Sequence, residues 1–193
     1  MKYFFLLLLA CLVTFTMNAQ DFADVDKSPL DAVYYPNRAA FRAFAKTDSA
    51  KLANEPRIRI LYSRPSKKGR EIFGTEKMIP YGEPYRLGAN ETTEIQFFAP
   101  VKIGGAVIPA GRYTLGAIPT AANWEVFVSL DLDGWGVYAY KPEHNVATVT
   151  VPTKQVAETI EHFSITLYEA TPGVVHLKMG WDKTVVEVPI TLL

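Results

Sequence analysis

The sequence predicts an all-β protein, either an antiparallel β-sandwich or a jelly roll, with about nine strands. Three observations favour this class. Short segments alternate between apolar and polar residues, turn signals recur about every 8–12 residues, and no long stretch has the apolar spacing of a helix. A barrel built from the same strands is the alternative arrangement.

The predicted strands begin where basic Arg57 and Arg59 alternate with apolar Ile58 and Ile60. Pro189 has no backbone N–H to donate, which favours a sheet edge for the last strand. Turn signals rich in Gly, Pro and Asp lie at residues 109–111, 131–134, 171–173 and 182–183. The strands are predicted at residues 57–62, 93–99, 112–118, 124–130, 135–140, 146–151, 163–168, 174–179 and 184–192.

Residues 1–19 predict an export signal that is removed from the mature protein. Lys2 is followed by an apolar run, and Ala19 is the small residue that a signal peptidase needs. The apolar run is too short to favour a membrane span. Cys11 leaves a second interpretation open, because the Leu-Leu-Ala before it loosely resembles a lipoprotein cleavage site. We therefore expect a periplasmic or secreted protein, with lipid anchoring through Cys11 as the alternative.

The rest of the chain divides into an N-terminal arm, residues 20–56, and a single β-sandwich domain, residues 57–193. In the arm, Phe41 and Phe44 lie three residues apart in an alanine-rich stretch, which fits one or two helical turns. Cleavage after Ala19 leaves no cysteine and therefore no disulfide, thiolate metal site or thiol nucleophile. No cofactor is expected.

The formal net charge is zero, but basic residues concentrate in one part of the sequence. Residues 57–92 carry eight basic side chains against four acidic ones. This is a local patch, far from the sustained basic stripe of a nucleic-acid-binding protein. We therefore expect no nucleic-acid partner.

Residues 62–92 predict a long irregular loop region, because two motifs there are rich in Gly, Pro, Arg and aromatic residues. They read Tyr-Ser-Arg-Pro-Ser-Lys-Lys-Gly-Arg-Glu-Ile-Phe-Gly from residue 62 and Tyr-Gly-Glu-Pro-Tyr-Arg-Leu-Gly-Ala-Asn-Glu-Thr from residue 81. With Ile-Pro-Ala-Gly-Arg-Tyr at 108–113 and Trp-Gly at 135–136, the sequence resembles domain-of-unknown-function family 2911, exported proteins common in Bacteroidota. The resemblance covers about residues 28–193. It implies an exported β-rich domain and brings no activity, substrate or catalytic residue with it.

Loops on a rigid scaffold often carry binding groups, so the two motifs predict a ligand site. Arginine side chains bind carboxylates and phosphates through a planar fork of donors. The expected ligand is an anionic or saccharide small molecule, such as a carboxylated sugar or a phosphorylated envelope component, or else an envelope protein. The candidate ligand-binding residues are Arg64, Lys68, Arg70, Tyr81, Arg86, Asn90, Glu91, Trp135 and Tyr138.

Each candidate also has a structural interpretation. Arg64 and Arg86 could instead pin the loop by ion pairs, and Asn90 could supply a left-handed turn residue. The acidic partners predicted for the arginines are Glu71, Glu83 and Glu91. Five aromatic residues could stack on a sugar or could instead be core residues or cross-strand pairs, namely Trp124, Trp135, Tyr138, Tyr140 and Trp181. Trp135 and Tyr138 are the best candidates among them for a sugar-stacking platform.

An enzyme is the alternative function. A hydrolase or lyase could use Glu91 or His144 as acid or base, with the arginines stabilising charge. The motifs of serine hydrolases, zinc peptidases and phosphate-binding loops are absent from the sequence. Asp131 begins a stretch that resembles a calcium loop, but Pro142 occupies the position of its required glutamate. We therefore expect no metal site.

Overall fold

The computed structural model describes residues 21–193 and consists of two antiparallel sheets that face each other across one core. One sheet has the strand order β1-β2-β3-β6-β7-β8 and the other β5-β4-β10-β9. The strands are β1 (Leu30–Tyr35), β2 (Ile58–Ser63), β3 (Thr93–Phe97), β4 (Val101–Ile103), β5 (Ala106–Ile108), β6 (Gly111–Pro119), β7 (Asn123–Ser129), β8 (Asn145–Pro152), β9 (Lys154–Thr171) and β10 (Val174–Leu192). The predicted β-sandwich is confirmed, and these strands do not close into a barrel. The predicted export signal and Cys11 lie outside the described residues.

Alternation of apolar and polar residues decides which side of each strand faces the core. In β2, Ile58 and Ile60 are fully buried, while Arg59 between them points to the outer face. Successive side chains of a strand point to opposite faces, so one apolar set per strand fills the space between the sheets. The same pattern buries Ile95 and Phe97 in β3.

β10 folds back on itself. It therefore contains both of the strands that the sequence predicts at 174–179 and 184–192. His176 and Glu187 are eleven residues apart, yet Nδ1 of His176 lies 3.2 Å from Oε2 of Glu187. A straight strand would separate them by about 36 Å. Asp182 has a φ of 54°, and the N–H of Leu192 donates to the carbonyl of Gly173 across 2.8 Å. The turn predicted at 182–183 is therefore present.

The prediction that Pro189 marks a sheet edge is wrong. β10 lies between β4 and β9. Pro189 is accommodated there because β4 pairs with β10 only at Thr191 and Leu192, beyond the proline.

Part of the N-terminal arm belongs to a sheet. β1 pairs with β2 from Leu30, opposite Ser63, to Tyr35, opposite Ile58. A 3₁₀ helix (Ala39–Phe44) and the short helix α1 (Asp48–Ala53) follow. Thr47 caps α1 by accepting a hydrogen bond from the N–H of Ala50 at 3.1 Å. In residues 21–193, no helix is long and apolar enough to cross a membrane.

The loop region after β2 closes one end of the sandwich and contributes to the core. Ile72, Ile79 and Leu87 are buried within it. Tyr85 pairs with Ala117 of β6 through two backbone hydrogen bonds of 2.7 and 2.9 Å, beside the start of β3. Aromatic rings from this region and both sheets form a connected cluster with centroids 5.1–6.5 Å apart, made of Tyr62, Phe73, Tyr85, Trp124, Phe163 and Trp181. Trp124 and Trp181 are therefore core residues.

Candidate functional site

The outer face of the six-stranded sheet carries a small cavity beneath residues 130–141, which we call the cover loop. Phe127 projects from β7 on this face, and the ring of Tyr140 stacks on it at 4.3 Å with an interplanar angle of 21°. Gly116 lies opposite Phe127, and a Cβ there would overlap the ring. The cavity has a volume of about 30 Å³. Side chains from the sheet and the cover loop line it, with Arg86 at one side.

The strand predicted at residues 135–140 is wrong, because the cover loop occupies this part of the chain. Turns hold the aromatic residues of the cover loop, together with isolated backbone hydrogen bonds to the segment before β3. The N–H of Gly136 donates to the carbonyl of Asn90 at 2.9 Å, and the N–H of Thr92 donates to the carbonyl of Gly134 at 3.0 Å. A single β-bridge joins Glu91 to Trp135. These bonds bring the second motif and the cover loop to one place.

Arg86 is the cation of this cavity. Its Nε is buried and has no hydrogen-bond partner, and within residues 21–193 no carboxylate lies within 4.0 Å of its guanidinium. The ion pairs predicted with Glu71, Glu83 or Glu91 are therefore not formed in the described chain. A buried donor without a partner is costly, so this guanidinium is suited to receiving an anion.

Arg64 is occupied elsewhere. Its Nη1 pairs with Oδ2 of Asp31 at 2.9 Å, its Nη2 donates to Oγ of Ser164 at 2.9 Å, and its Nε donates to the carbonyl of Phe163 at 3.3 Å. The structural interpretation of this residue fits the geometry, although the partner is Asp31 of β1 rather than a glutamate of the loop. Arg64 thereby ties the two sheets together where β1 meets β9.

The guanidinium of Arg70 binds the backbone of the turn just before it in the chain. Nε donates to the carbonyl of Lys67 at 2.9 Å and Nη2 donates to that of Ser66 at 2.5 Å. Lys67 in turn pairs with Asp182 at 3.4 Å. The cavity lining contains Arg86 but neither Arg64 nor Arg70, so the three guanidinium groups do not meet there.

The other residues of the first motif also lie apart from the cavity. Lys68 has a φ of 50°, is exposed, and donates its backbone N–H to Oε1 of Glu161 at 2.8 Å. Tyr81 packs its ring against Gly74, where a Cβ would come within 2.6 Å of it. Neither Lys68 nor Tyr81 lines the cavity.

Of the four other predicted residues, Trp135 lines the cavity with Arg86, Asn90 and Glu91 are joined to the cover loop, and Tyr138 lines neither the cavity nor the adjoining groove. Trp135 lines the cavity and is 60% exposed, and Tyr138 on the same loop is 90% exposed. Asn90 has a φ of 61°, which fits its interpretation as a left-handed turn residue. Glu91 is exposed and lines an adjoining open groove of about 330 Å³.

The groove continues directly from the cavity. Both are lined by Thr92, Thr114, Leu132 and Gly134. Three carboxylates border the groove, those of Glu91, Glu94 and Asp133. The enclosed part is therefore beside Arg86 and the carboxylate of Asp131, and the open part is beside three carboxylates.

Two of these carboxylates belong to a charge network that the sequence reasoning missed. Glu94 of β3 pairs with Arg59 of β2 at 3.1 Å and with Arg112 of β6 at 3.2 Å, and Arg112 also pairs with Asp133 of the cover loop at 2.9 Å. The outward positions of three adjacent strands carry these charges. That alternation is visible in the sequence, but the strand order that makes them neighbours is not.

His144 has a partner that the sequence reasoning also missed. Its Nδ1 lies 2.5 Å from Oδ1 of Asp131, and Oδ2 of the same carboxylate accepts the N–H of Lys141 at 3.0 Å. Ser129 and Asp131 are further joined by hydrogen bonds of 3.2 and 3.4 Å. The hydrogen bond from His144, with help from that of Lys141, holds the pKa of Asp131 below its ordinary value. Asp131 also lines the cavity.

In residues 21–193, no group of three or more His, Cys, Asp or Glu side chains could hold a metal ion. The stretch that resembles a calcium loop instead supplies Asp131 to His144 and Asp133 to Arg112.

The fold and this outer-face cavity define a class of protein. It is a β-sandwich in which a long loop region contributes to the core and a second loop covers the outer face of one sheet. Within that class, the chain belongs to the family described as protein of unknown function, DUF2911, whose profile matches residues 45–190. The resemblance seen in the loop motifs is thereby confirmed. No curated protein and no solved structure matches the chain.

Proposed function

We propose that the protein is exported to the cell envelope and binds an anionic saccharide, one that carries a carboxylate or a phosphate, in the cavity and groove of the outer sheet face. The observation that carries the proposal is Arg86, whose guanidinium lines the cavity without a protein partner among the described residues. An acidic side chain of a partner protein is the alternative occupant of the same place.

The sizes of the two compartments favour a ligand with a small anionic group and a larger polar body. A volume of about 30 Å³ admits only a few atoms beside Arg86. The groove of about 330 Å³ is large enough for a sugar ring. Its carboxylates, Glu91, Glu94 and Asp133, can accept hydrogen bonds from sugar hydroxyl groups.

Trp135 supplies the apolar side of the proposed site. Its ring is largely exposed although it lines the cavity. An amphipathic ring held at the mouth of a polar cleft suits the face of a sugar. Tyr138, three residues further along the cover loop, extends the exposed aromatic surface.

Calorimetric titration with a hexuronic acid, a hexose phosphate and the matching neutral hexose tests the proposal. We expect the two acidic sugars to bind and the neutral one to bind at least about tenfold more weakly, because an uncompensated guanidinium is part of the site. Arg86→Gln should remove this preference. The matched control is Arg57→Gln, which changes an exposed arginine at the far end of β2 and should bind as the wild type does. Absence of binding by every sugar would contradict the proposal.

A second candidate function, a hydrolase or lyase, has one observation in its favour. A histidine whose Nδ1 is held by a carboxylate presents the arrangement by which enzymes orient a general base, and His144 with Asp131 has it. Turnover of chromogenic esters and glycosides by the wild type, lost in His144→Ala and retained in His162→Ala, would support an enzyme. No turnover by the wild type would count against it.

A further inference from the structure

We propose that the 3₁₀ helix and α1, residues 39–53, form a docking surface for an anionic lipid bilayer. This arm surface is separate from the saccharide site. It lies beyond Tyr35 and before Ile58, whereas the cavity lies near the opposite end of β2, where Gly88 approaches Ser63. The inference therefore stands independently of the proposed function.

The arm surface exposes large apolar side chains. Phe41 is 62% exposed, Phe44 82% and Leu52 68%. In a 3₁₀ helix, residues three apart eclipse one another, so Phe41 and Phe44 form a single ridge. Of that helix only Ala39 is buried. Aromatic side chains presented together on a short helix are suited to the boundary between headgroups and acyl chains.

Basic residues outnumber acidic ones in this part of the chain. Residues 38–55 contain Arg38, Arg42, Lys46 and Lys51 against Asp48 and Glu55, a surplus of two positive charges. Each basic residue close to an anionic bilayer adds to the attraction, and the effect is additive with burial of apolar rings.

A groove between the two helices offers a place for a lipid phosphate. It has a volume of about 310 Å³ and is lined by Arg42 and Lys51, with Ala40, Ala43 and Glu55. Arg42 uses Nη1 to donate to the carbonyl of Ala39 at 3.2 Å, and Lys51 pairs with Asp48, which is almost fully exposed. An exposed ion pair is weak, so a headgroup phosphate can replace Asp48 as the partner of Lys51. Charge and apolar exposure together favour a bilayer over a second copy of this neutral chain.

Vesicle sedimentation of the purified protein tests the inference. The probes are vesicles of phosphatidylglycerol and phosphatidylcholine in equal amounts, compared with phosphatidylcholine alone. We expect binding to the anionic vesicles to be at least about tenfold stronger and to weaken as salt is raised. Phe41→Ser with Phe44→Ser, and separately Arg42→Gln with Lys51→Gln, should each reduce it by about tenfold or more.

The control variants are Leu130→Ser, an exposed apolar residue far from the arm, and Lys77→Gln with Lys141→Gln, which remove two exposed charges outside the arm. Both should bind as the wild type does. Far-ultraviolet circular dichroism and melting temperature confirm that each variant is folded. Equal binding to both kinds of vesicle, unchanged binding by the arm variants, or self-association that Phe44→Ser abolishes without any vesicle binding would each overturn the inference.

Discussion

Arg64 and Arg86 carry the same charge, but their surroundings give them opposite roles. Arg64 is bonded through all three of its guanidinium nitrogens, to Asp31, Ser164 and Phe163. Arg86 has a buried Nε without a partner. Removing Arg64 leaves the carboxylate of Asp31 without its cation, whereas removing Arg86 leaves no charged group behind among the described residues.

We therefore expect Arg64→Ala to lower the free energy of unfolding by about 2–3 kcal/mol. Arg86→Met should change it by less than about 1 kcal/mol, because the replacement keeps the apolar stem and removes an unsatisfied donor. Urea unfolding of both variants, with Arg57→Met as the control, measures the difference. A larger loss for Arg86→Met than for Arg64→Ala would show that Arg86 has a structural partner.

The Asp131 and His144 pair predicts a dependence of stability on pH. The pKa of Asp131 is lowered in the folded protein, chiefly by the hydrogen bond from His144. Its contribution is therefore complete above its ordinary value of 3.8 and is lost as the pH falls through the lowered pKa. Asp131→Asn should be less stable than the wild type by about 1–2 kcal/mol near pH 6, and the difference should shrink on acidification to about pH 2.

Urea unfolding across this pH range checks the prediction, with Asp48→Asn as the control because Asp48 forms only an exposed pair with Lys51. The control should show no such trend. A difference between wild type and Asp131→Asn that stays constant down to about pH 2 would contradict the assigned cause.

At the scale of elements, the cover loop depends on a glycine in a neighbouring strand. Gly116 leaves room for the ring of Phe127, on which Tyr140 stacks. Gly116→Ala should displace that ring, loosen the cover loop and cost about 1–3 kcal/mol of unfolding free energy. Hydrogen exchange at residues 130–141 should rise more than at β9. The control is Gly173→Ala, which has no neighbour within 4 Å but is strained by its φ of 78°, so it should lower stability without raising exchange in the cover loop. Unchanged exchange in the cover loop would contradict the role of the glycine.

The sequence predicts the strands well where a single alternating face meets the core. β2, β3 and β7 follow from the spacing of Ile58, Ile60, Ile95 and Val126 alone. The cover loop was missed because Trp135 to Tyr140 has the aromatic content of a strand, while its backbone is fixed by contacts with Asn90 and Thr92, far away in the chain. The prediction from Pro189 was wrong for a related reason. Only the extent of the pairing between β4 and β10 shows that the strand tolerates the missing N–H of Pro189.

The candidate site could be predicted only in part. The second motif and the cover loop carry Arg86, Asn90, Glu91 and Trp135, and these do lie together. The convergence of Arg64 and Arg70 with them does not occur, because Asp31 and the carbonyl of Lys67 take those guanidinium groups. The pairing of each donor with its acceptor depends on the strand order and on the path of the loop. Neither can be predicted from the spacing of residues along the sequence.

At the scale of the whole molecule, the aromatic cluster joins the loop region to both sheets. Phe73 contributes from the loop and lies 5.1 Å from the ring of Trp124 and 6.5 Å from that of Trp181. Phe73→Ala should cost about 3 kcal/mol of unfolding free energy and free the loop from the body. Trypsin should then cut after the exposed Lys68 and Arg70 faster than in the wild type.

The control for this prediction is Phe98→Ala, a phenylalanine that is exposed and outside the cluster. Its melting temperature and rate of tryptic cleavage should match those of the wild type. Equal cleavage of Phe73→Ala and the wild type would mean that the loop is held without the cluster.

The position of β2 gives the molecule a direction. One terminus of this strand adjoins the exposed phenylalanines and the other adjoins the cavity, with about 17 Å of extended backbone between them. If the phenylalanines rest on a bilayer, the sugar-sized cleft faces outward from it. Such an orientation would let the protein meet soluble or wall-attached glycans while it stays at the membrane surface.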